Sequence, residues 1–120
     1  MKVVITSTDK DIESQVDPRF GRARYLLVVD SETMEFESHD NELNMTAAQG
    51  AGIQTGQNVA NLNAEAVITG NVGPNACRTL NAANVKIYLS ASQSVKQAVE
   101  KLKAGELEQV NEANVEGHWS

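Results

Sequence analysis

The 120-residue sequence predicts an α/β domain in which three helices pack on a mixed five-stranded sheet. Short runs rich in β-branched and aliphatic residues indicate the strands. The first three strands follow one another without a helix, which favours antiparallel pairing, whereas the later strands alternate with helices, which favours parallel pairing. The predicted order is β-β-β-α-β-α-β-α, and a sheet that joins both kinds of pairing is mixed.

The first half of the chain contains the hairpin strands and the first helix. Residues 2–7 form a β-branched run, residues 25–30 are apolar on both faces, and residues 34–37 alternate as a half-exposed strand does. From about residue 45 to residue 62 the pattern is helical, with Gly52 and Gly56 in a stripe of small residues repeating every four positions. Since glycine inside a helix costs about 1 kcal/mol relative to alanine, the stripe indicates close packing against the sheet, or else close approach of a ligand.

The second half predicts two βα units. Residues 66–69 and 85–89 are strands, separated by a helix that begins at Pro74 and ends near residue 82. Ser94 and Gln97 fit a capping box at the start of the last helix, and Gly105 suits its end. We expect one domain over residues 1–105 and a polar, flexible tail over residues 106–120. This order of elements is that of the ribonuclease H-like architecture.

Composition limits the classes of function. The sequence has 16 acidic and 10 basic residues, a net charge of −6, which argues against double-stranded nucleic acid as a partner. No segment approaches the ~20 continuous apolar residues that span a bilayer, and the N-terminal apolar run is too short for a signal peptide. The single cysteine, Cys77, excludes an internal disulfide and fits a reducing compartment. We therefore expect a cytoplasmic protein that contacts neither nucleic acid nor membrane.

The most unusual segment is residues 17–25, which we call the arginine loop. It places three arginines within six residues of an acidic chain, around an aromatic residue and a glycine: Arg19, Phe20, Gly21, Arg22 and Arg24. Turn-forming residues on either side of Phe20 are expected to present its ring between the cationic side chains. Because guanidinium groups hold oxyanions in a bidentate manner, the cluster predicts an anionic ligand. Pairing with neighbouring surface acids is an equally good interpretation of the residues alone.

A second candidate is residues 70–74, which we call the glycine turn. It follows a strand, leads into a helix and contains Gly70, Asn71, Val72 and Gly73. Free backbone N–H groups at a helix N-terminus form an anion site, and the carboxyl ends of strands are where α/β sheets generally bind ligands. A plain tight turn is at least as good an interpretation.

The remaining candidates are single residues. Cys77, near a helix start, is a candidate metal ligand, but a lone cysteine on a short buried helix is more typical of a core residue. His39 and Met45 lie in a polar segment and are candidate metal ligands or surface residues. A metal-dependent nuclease is excluded because the opening strand has no acid before Asp9. No spacing of nucleophile and base predicts catalysis, so we do not expect an enzyme.

Four segments, in this order and at this spacing, resemble the dinitrogenase iron–molybdenum cofactor biosynthesis family, which includes NifX-like carriers and the orange proteins of anaerobes. The segments are residues 18–23 (PRFGRA), the strand that ends in Asp30, the helix that contains Gly50, Ala51 and Gly52, and residues 69–76 (TGNVGPNA). The resemblance covers residues 2–102, and the ribonuclease H-like fold of the family agrees with the element order.

The resemblance implies a non-enzymatic protein that binds, stores or transfers a molybdenum-containing metal–sulfur cluster. NifX-like members handle the iron–molybdenum cofactor or its precursors, and orange proteins hold a molybdenum–copper sulfide cluster without covalent cysteine ligation. By position, the arginine loop, the helix with Gly50 and Gly52, and the glycine turn would surround the cluster. A donor or acceptor protein of cluster assembly, or a P-loop ATPase, is the implied partner. A protein–protein adaptor and a small-anion or nucleotide-binding module remain alternatives for the arginine loop.

Overall fold

The fold is a six-stranded mixed sheet with helices on both faces. The computed structural model of the chain describes residues 1–42, 50–90 and 92–115. The strands are β1 (Lys2–Ser7), β2 (Tyr25–Asp30), β3 (Phe36–Asp40), β4 (Ala66–Thr69), β5 (Lys86–Leu89) and β6 (Glu108–Val110). Three helices lie fully within the described residues: α1 (Ala51–Asn61), α2 (Pro74–Ala82) and α3 (Val95–Lys103).

The strand order in the sheet is β3-β2-β1-β4-β5-β6. β1 pairs antiparallel with β2 and parallel with β4, while β3 pairs antiparallel with β2 and β5 parallel with β4. The prediction of a mixed sheet and of the order of its first five strands and three helices is confirmed. As a result, β1, β4 and β5 end at the same edge of the sheet at which β2 begins.

The prediction of five strands is wrong, because β6 adds a sixth strand in the segment that the sequence placed in a polar tail. β6 pairs antiparallel with β5, and Val110 lies opposite Ile87. The half-buried Val110 packs against the core, which gives this strand an apolar contact. A three-residue strand with one apolar side chain is too short to show a hydrophobic period.

Each face of the sheet has its own aliphatic core. Alternate residues of β1 enter the two cores, as the period of a strand requires. Val4 packs in one core with Val59 of α1 and Leu80 of α2, whereas Ile5 packs in the other with Val99 of α3. The sheet is therefore a central layer between α1 and α2 on one side and α3 on the other.

Helix α1 begins later than predicted, and its Gly56 packs against a helix rather than the sheet. Gly50 has a φ of 76°, in the left-handed region, so the helix begins at Ala51. Residues 45–49, which the prediction included, lie outside the described residues. A Cβ on Gly56 would lie 3.0 Å from Cγ2 of Thr79, so Gly56 allows α1 to pack closely on α2.

The other differences from prediction are small. β3 begins at Phe36, two residues later than expected, because Met34 has a φ of 64° and belongs to the turn. The ribonuclease H-like assignment stays a prediction. Among the described residues, we find no helix with the length and apolar character needed to cross a bilayer.

Candidate functional site

The segments that the sequence singled out meet at one edge of the sheet. β1 and β4 end there, β2 begins there, and α2 follows directly from the glycine turn. The arginine loop lies between the glycine turn on one side and α1 on the other. In an open α/β sheet this edge is the usual position of a ligand.

The arginine loop packs directly on the glycine turn. Arg19 and Asn71 form a short parallel bridge, and Nδ2 of Asn71 donates a hydrogen bond of 3.0 Å to the carbonyl oxygen of Pro18. A Cβ on Gly70 would lie 2.7 Å from Cα of Pro18, so only glycine permits this approach. The two segments are therefore one structural unit.

Two buried threonines attach the start of the arginine loop to the sheet. Oγ1 of Thr6 lies 2.7 Å from the carbonyl oxygen of Asp17 and 2.8 Å from Oγ1 of Thr69. In return, the N–H of Asp17 donates to the carbonyl oxygen of Thr6 at 2.8 Å. Because buried polar groups are costly to leave unpaired, these bonds hold the loop at the ends of β1 and β4.

The other end of the arginine loop is attached to α1. Oγ1 of Thr55 lies 3.2 Å from the carbonyl oxygen of Gly21, and Nδ2 of Asn41 donates to the carbonyl oxygen of Ala23 at 2.9 Å. Nδ2 of Asn41 and Oγ1 of Thr55 are also 3.3 Å apart. Both side chains are buried, so this network fixes the loop relative to α1.

Phe20 does not project from the loop. Its side chain is fully buried in the core beneath α1 and α2, together with Val72 and Ala76. The expectation that the loop presents this ring between the cationic side chains is wrong, because burial of a phenylalanine stabilises a fold by about 1.5–3 kcal/mol. Phe20, which lies between Arg19 and Arg22 in the sequence, instead anchors the loop to the core.

The arginines differ in their surroundings. For Arg24 the surface-pairing interpretation is correct: its Nη1 lies 2.6 Å from Oδ1 of Asp40, and its Nη2 lies 3.7 Å from Oε2 of Glu42. Its guanidinium also stacks 4.4 Å from the centre of the Tyr25 ring. The hydrogen bond between Arg24 and Asp40 raises the pKa of Arg24 and lowers the pKa of Asp40. The charge of Arg24 is thus already offset.

Arg19 is more open, with 48% of its side chain exposed, and Arg22 is half-buried. Nε of Arg19 lies 3.8 Å from Oδ1 of Asp17, and the same oxygen accepts a hydrogen bond of 3.0 Å from the backbone N–H of Arg19. Burial raises the pKa of the Asp17 carboxyl, although the N–H and charge of Arg19 oppose the rise. Asp17 therefore holds Arg19 in place beside the glycine turn.

Helices α1 and α2 both have glycine at the N-cap, Gly50 and Gly73, and Pro74 takes the first turn of α2 as predicted. Among the described residues, no side chain caps either helix, and neither first turn contains an acid. Gly50 is exposed and Gly52 is buried within α1. The positive end of each helix dipole is thus not offset by a carboxylate of its own first turn.

The two candidate metal ligands that the structure describes, His39 and Cys77, lie in different surroundings. His39 lies on β3, with Nε2 3.1 Å from Oε1 of Glu37, and Met45 lies outside the described residues. Cys77 is buried in the core, and burial raises the pKa of its thiol. In the described part of the chain, no group of three or more His, Cys, Asp or Glu residues could hold a metal ion. The burial of Cys77 favours its interpretation as a core residue.

Sequence reasoning missed the polar residues that assemble the site. Asn41, Thr55 and Asn114 carry no motif, although Thr55 is a polar residue on the buried face of α1. A polar residue on the apolar face of a predicted helix was the only sign of this role in the sequence, because Thr55 bonds to a backbone group of a distant loop.

Comparisons with known proteins agree with the resemblance. The sequence model of the family described as "Dinitrogenase iron-molybdenum cofactor" matches residues 1–105. The apo form of the orange protein from Desulfovibrio gigas is 36% identical, with a TM-score of 0.92 over 95% of this chain and 96% of that chain. The NMR structure of a Thermotoga protein, described as a candidate NifB protein, is 35% identical, with a TM-score of 0.82 over 97% and 98%. An uncharacterised protein of Methanocaldococcus jannaschii is 24% identical over 97 residues, which are 79% of this chain and 82% of that protein.

Proposed function

Because the chain belongs to the dinitrogenase iron–molybdenum cofactor family, we propose that it binds a molybdenum-containing metal–sulfur cluster at the edge formed by the arginine loop, the glycine turn and the start of α1. The family and its structural relatives indicate a cofactor-binding or carrier protein, and such proteins are generally not enzymes. The single observation that most supports the site is the packing of the arginine loop on the glycine turn through Gly70 and Asn71.

The chemistry of the edge suits a sulfidic polyanion. A cluster of the thiomolybdate type is bulky, negatively charged and soft on its sulfur faces. Arg19 and Arg22 supply weakly hydrated positive charge, and the starts of α1 and α2 supply backbone N–H groups at positive helix ends. Cys77 lies in the core with a raised pKa, so non-covalent binding agrees better with its surroundings than thiolate ligation does.

The cargo is a molybdenum–copper sulfide or a molybdenum–iron precursor of the nitrogenase cofactor, and the protein stores it or passes it on. Delivery requires a second protein of cluster assembly, a donor, an acceptor or a P-loop ATPase. We place this activity in the cytoplasm, where a chain with one buried thiol stays reduced.

Anaerobic reconstitution tests the proposal. Purified protein is mixed with tetrathiomolybdate, with and without copper(I), then desalted and examined by metal analysis and visible spectroscopy. We expect coloured protein that retains molybdenum in a fixed ratio to the chain. Arg19→Ala should weaken binding about 10–100-fold, the value of one hydrogen bond to a charged group. Lys86→Ala, which removes one charge at the start of β5 on the opposite edge, should bind as the unmodified protein does.

A small-anion module is the second candidate, because helix N-termini with glycine at the N-cap, as at Gly50 and Gly73, also suit phosphate. Inorganic phosphate and ATP are therefore tested in the same way, through the thermal stabilisation that binding confers. Stabilisation by phosphate ligands at concentrations where tetrathiomolybdate has no effect would replace the cluster proposal with this one. Colourless, molybdenum-free protein under every condition would contradict the cluster proposal directly.

A further inference from the structure

The chain downstream of β6 returns to the glycine turn. Residues 111–115, which we name the C-terminal strap, lie against it through Asn114. Oδ1 of Asn114 accepts a hydrogen bond of 2.7 Å from the N–H of Val72, and the backbone N–H of Asn114 donates to the carbonyl oxygen of Val72 at 3.1 Å. Nδ2 of Asn114 lies 3.1 Å from Oδ1 of Asn71 and 3.4 Å from the carbonyl oxygen of Gly70. The side chain of Asn114 therefore occupies one backbone N–H, that of Val72, in the turn that the sequence predicts as a site for an anionic ligand.

The strap has a second attachment on α2. Nδ2 of Asn81 donates a hydrogen bond of 3.0 Å to the carbonyl oxygen of Asn111. Asn81, Asn111 and Asn114 are all exposed, so water competes for the bond of Asn81 to Asn111 and for the bonds of Asn114 to Gly70 and Asn71, whereas the bond from the N–H of the buried Val72 is partly shielded. Segments held by exposed hydrogen bonds belong to the least stable part of a fold and open first. The attachment is thus specific in geometry and weak in free energy.

The bond to Val72 resembles the one that a cargo would make. The carboxamide oxygen of Asn114 is an acceptor directed at a backbone N–H, which is the role of a sulfide or oxo group of an anionic cluster. The same N–H cannot serve both acceptors at full strength. A cargo that uses the glycine turn must therefore displace Asn114.

We propose that the C-terminal strap is a gate on the cluster site. In the closed state Asn114 covers the glycine turn, and in the open state the N–H of Val72 is available to the cargo while Nδ2 of Asn71 keeps its bond to Pro18. The gate rests on the proposed function, since it needs a cargo at the glycine turn. Because a ligand that binds only the open state loses apparent affinity in proportion to the closed fraction, loosening the strap tightens binding.

Two variants loosen the strap in different ways. Asn114→Ala removes the side chain that covers the turn. Asn81→Ala removes the second attachment, because the side-chain hydrogen bonds of Asn81, among the described residues, go to Asn111 and Cys77. We expect tetrathiomolybdate with copper(I) to bind both variants about three- to tenfold more tightly than the unmodified protein. Asn61→Ala, at the far end of α1, is the matched control and should leave the affinity unchanged.

Amide hydrogen exchange reports on the gate without requiring an affinity. In the cargo-free protein, Asn114→Ala should speed exchange at Val72, while the N–H of Cys77, bonded to the carbonyl oxygen of Gly73 at 3.0 Å, stays protected. Loading the unmodified protein should speed exchange at Asn114 and slow it at Val72.

The outcomes separate the gate from the function. Equal affinities in all variants, with Asn114 still protected after loading, overturn the gate and leave the cluster site intact. Weaker binding by Asn114→Ala with no change in Asn81→Ala also overturns it, because Asn114 is then a wall of the site. If neither the unmodified protein nor any variant retains molybdenum, the proposed function is wrong and the gate falls with it. Binding that appears only in the loosened variants supports the gate.

Discussion

A methyl group added at Gly70 should separate the arginine loop from the glycine turn. The new Cβ would lie 2.7 Å from Cα of Pro18 and 3.1 Å from its carbonyl oxygen. Both are backbone atoms, so no change of rotamer relieves the contact and the loop itself must move. Gly70 is not among the glycines of positive φ, and the effect of the substitution is therefore steric.

The expected loss of stability follows from these contacts. Overpacking of this kind costs about 1–3 kcal/mol, and a displaced loop also strains the hydrogen bond from Asn71 to Pro18, worth about 0.5–1.5 kcal/mol. We expect Gly70→Ala to lower the free energy of unfolding by roughly 2–4 kcal/mol, measured by urea denaturation at an unchanged m-value. The backbone amide signals of Arg19 and Asn71 should shift in the NMR spectrum, and affinity for tetrathiomolybdate should fall.

Gly105→Ala is the control for the added methyl group. A Cβ at Gly105 meets no described atom within 4 Å, but its φ of 73° makes the substitution strained by about 1–2 kcal/mol. That loss should occur at the end of α3 without any change at Arg19. If Gly70→Ala protein is as stable as the unmodified protein and its Arg19 and Asn71 signals do not move, the loop and the turn are not the tight unit described above.

Three further predictions concern single side chains. In calorimetric titration, Arg24→Ala should lower the affinity for tetrathiomolybdate less than Arg19→Ala does, because Asp40 and Glu42 already offset the charge of Arg24. A larger effect of Arg24→Ala would contradict this interpretation of Arg24. Burial raises the pKa of the Asp17 carboxyl in the folded state above its ordinary value of 3.8. The folded protein therefore binds more protons than the unfolded one, and stability falls as the pH rises and this carboxyl ionises. Asp17→Asn should therefore gain stability relative to the unmodified protein between pH 3 and pH 7, and a pH-independent difference in urea midpoints would refute the assignment. Cys77→Ala should leave the molybdenum content per chain unchanged and lower the free energy of unfolding by about 1 kcal/mol, whereas lost molybdenum would identify the thiol as a ligand.

Features with a local requirement were predictable from the sequence. The capping box of α3 is present as expected, with the N–H of Gln97 3.1 Å from Oγ of Ser94. Pro74 lies in the first turn of α2, where the backbone N–H that proline lacks would have no partner within the helix. The glycine turn and the arginine loop were also identified as separate segments, because each has an unusual composition within a few residues.

Features that depend on distant partners were not predictable. The ring of Phe20 was expected to be presented between arginine side chains, yet it is buried in the core. The sequence does not reveal which core lies beneath a loop. β6 forms because it pairs with the edge strand β5; a segment of three residues does not form a stable strand without such a partner. The contact of Asn114 with Val72 joins residues 42 positions apart, and an asparagine in a polar segment gives no sign of such a partner.

An NMR titration of the cargo-free protein with tetrathiomolybdate and copper(I) would locate the site residue by residue. We predict that the amide signals that move most belong to the arginine loop, the glycine turn and the first turns of α1 and α2. The signals at the opposite edge, around Lys2 and Lys86, should stay in place. Shifts confined to that opposite edge, or none at stoichiometric tetrathiomolybdate, would contradict the assignment of the cluster site.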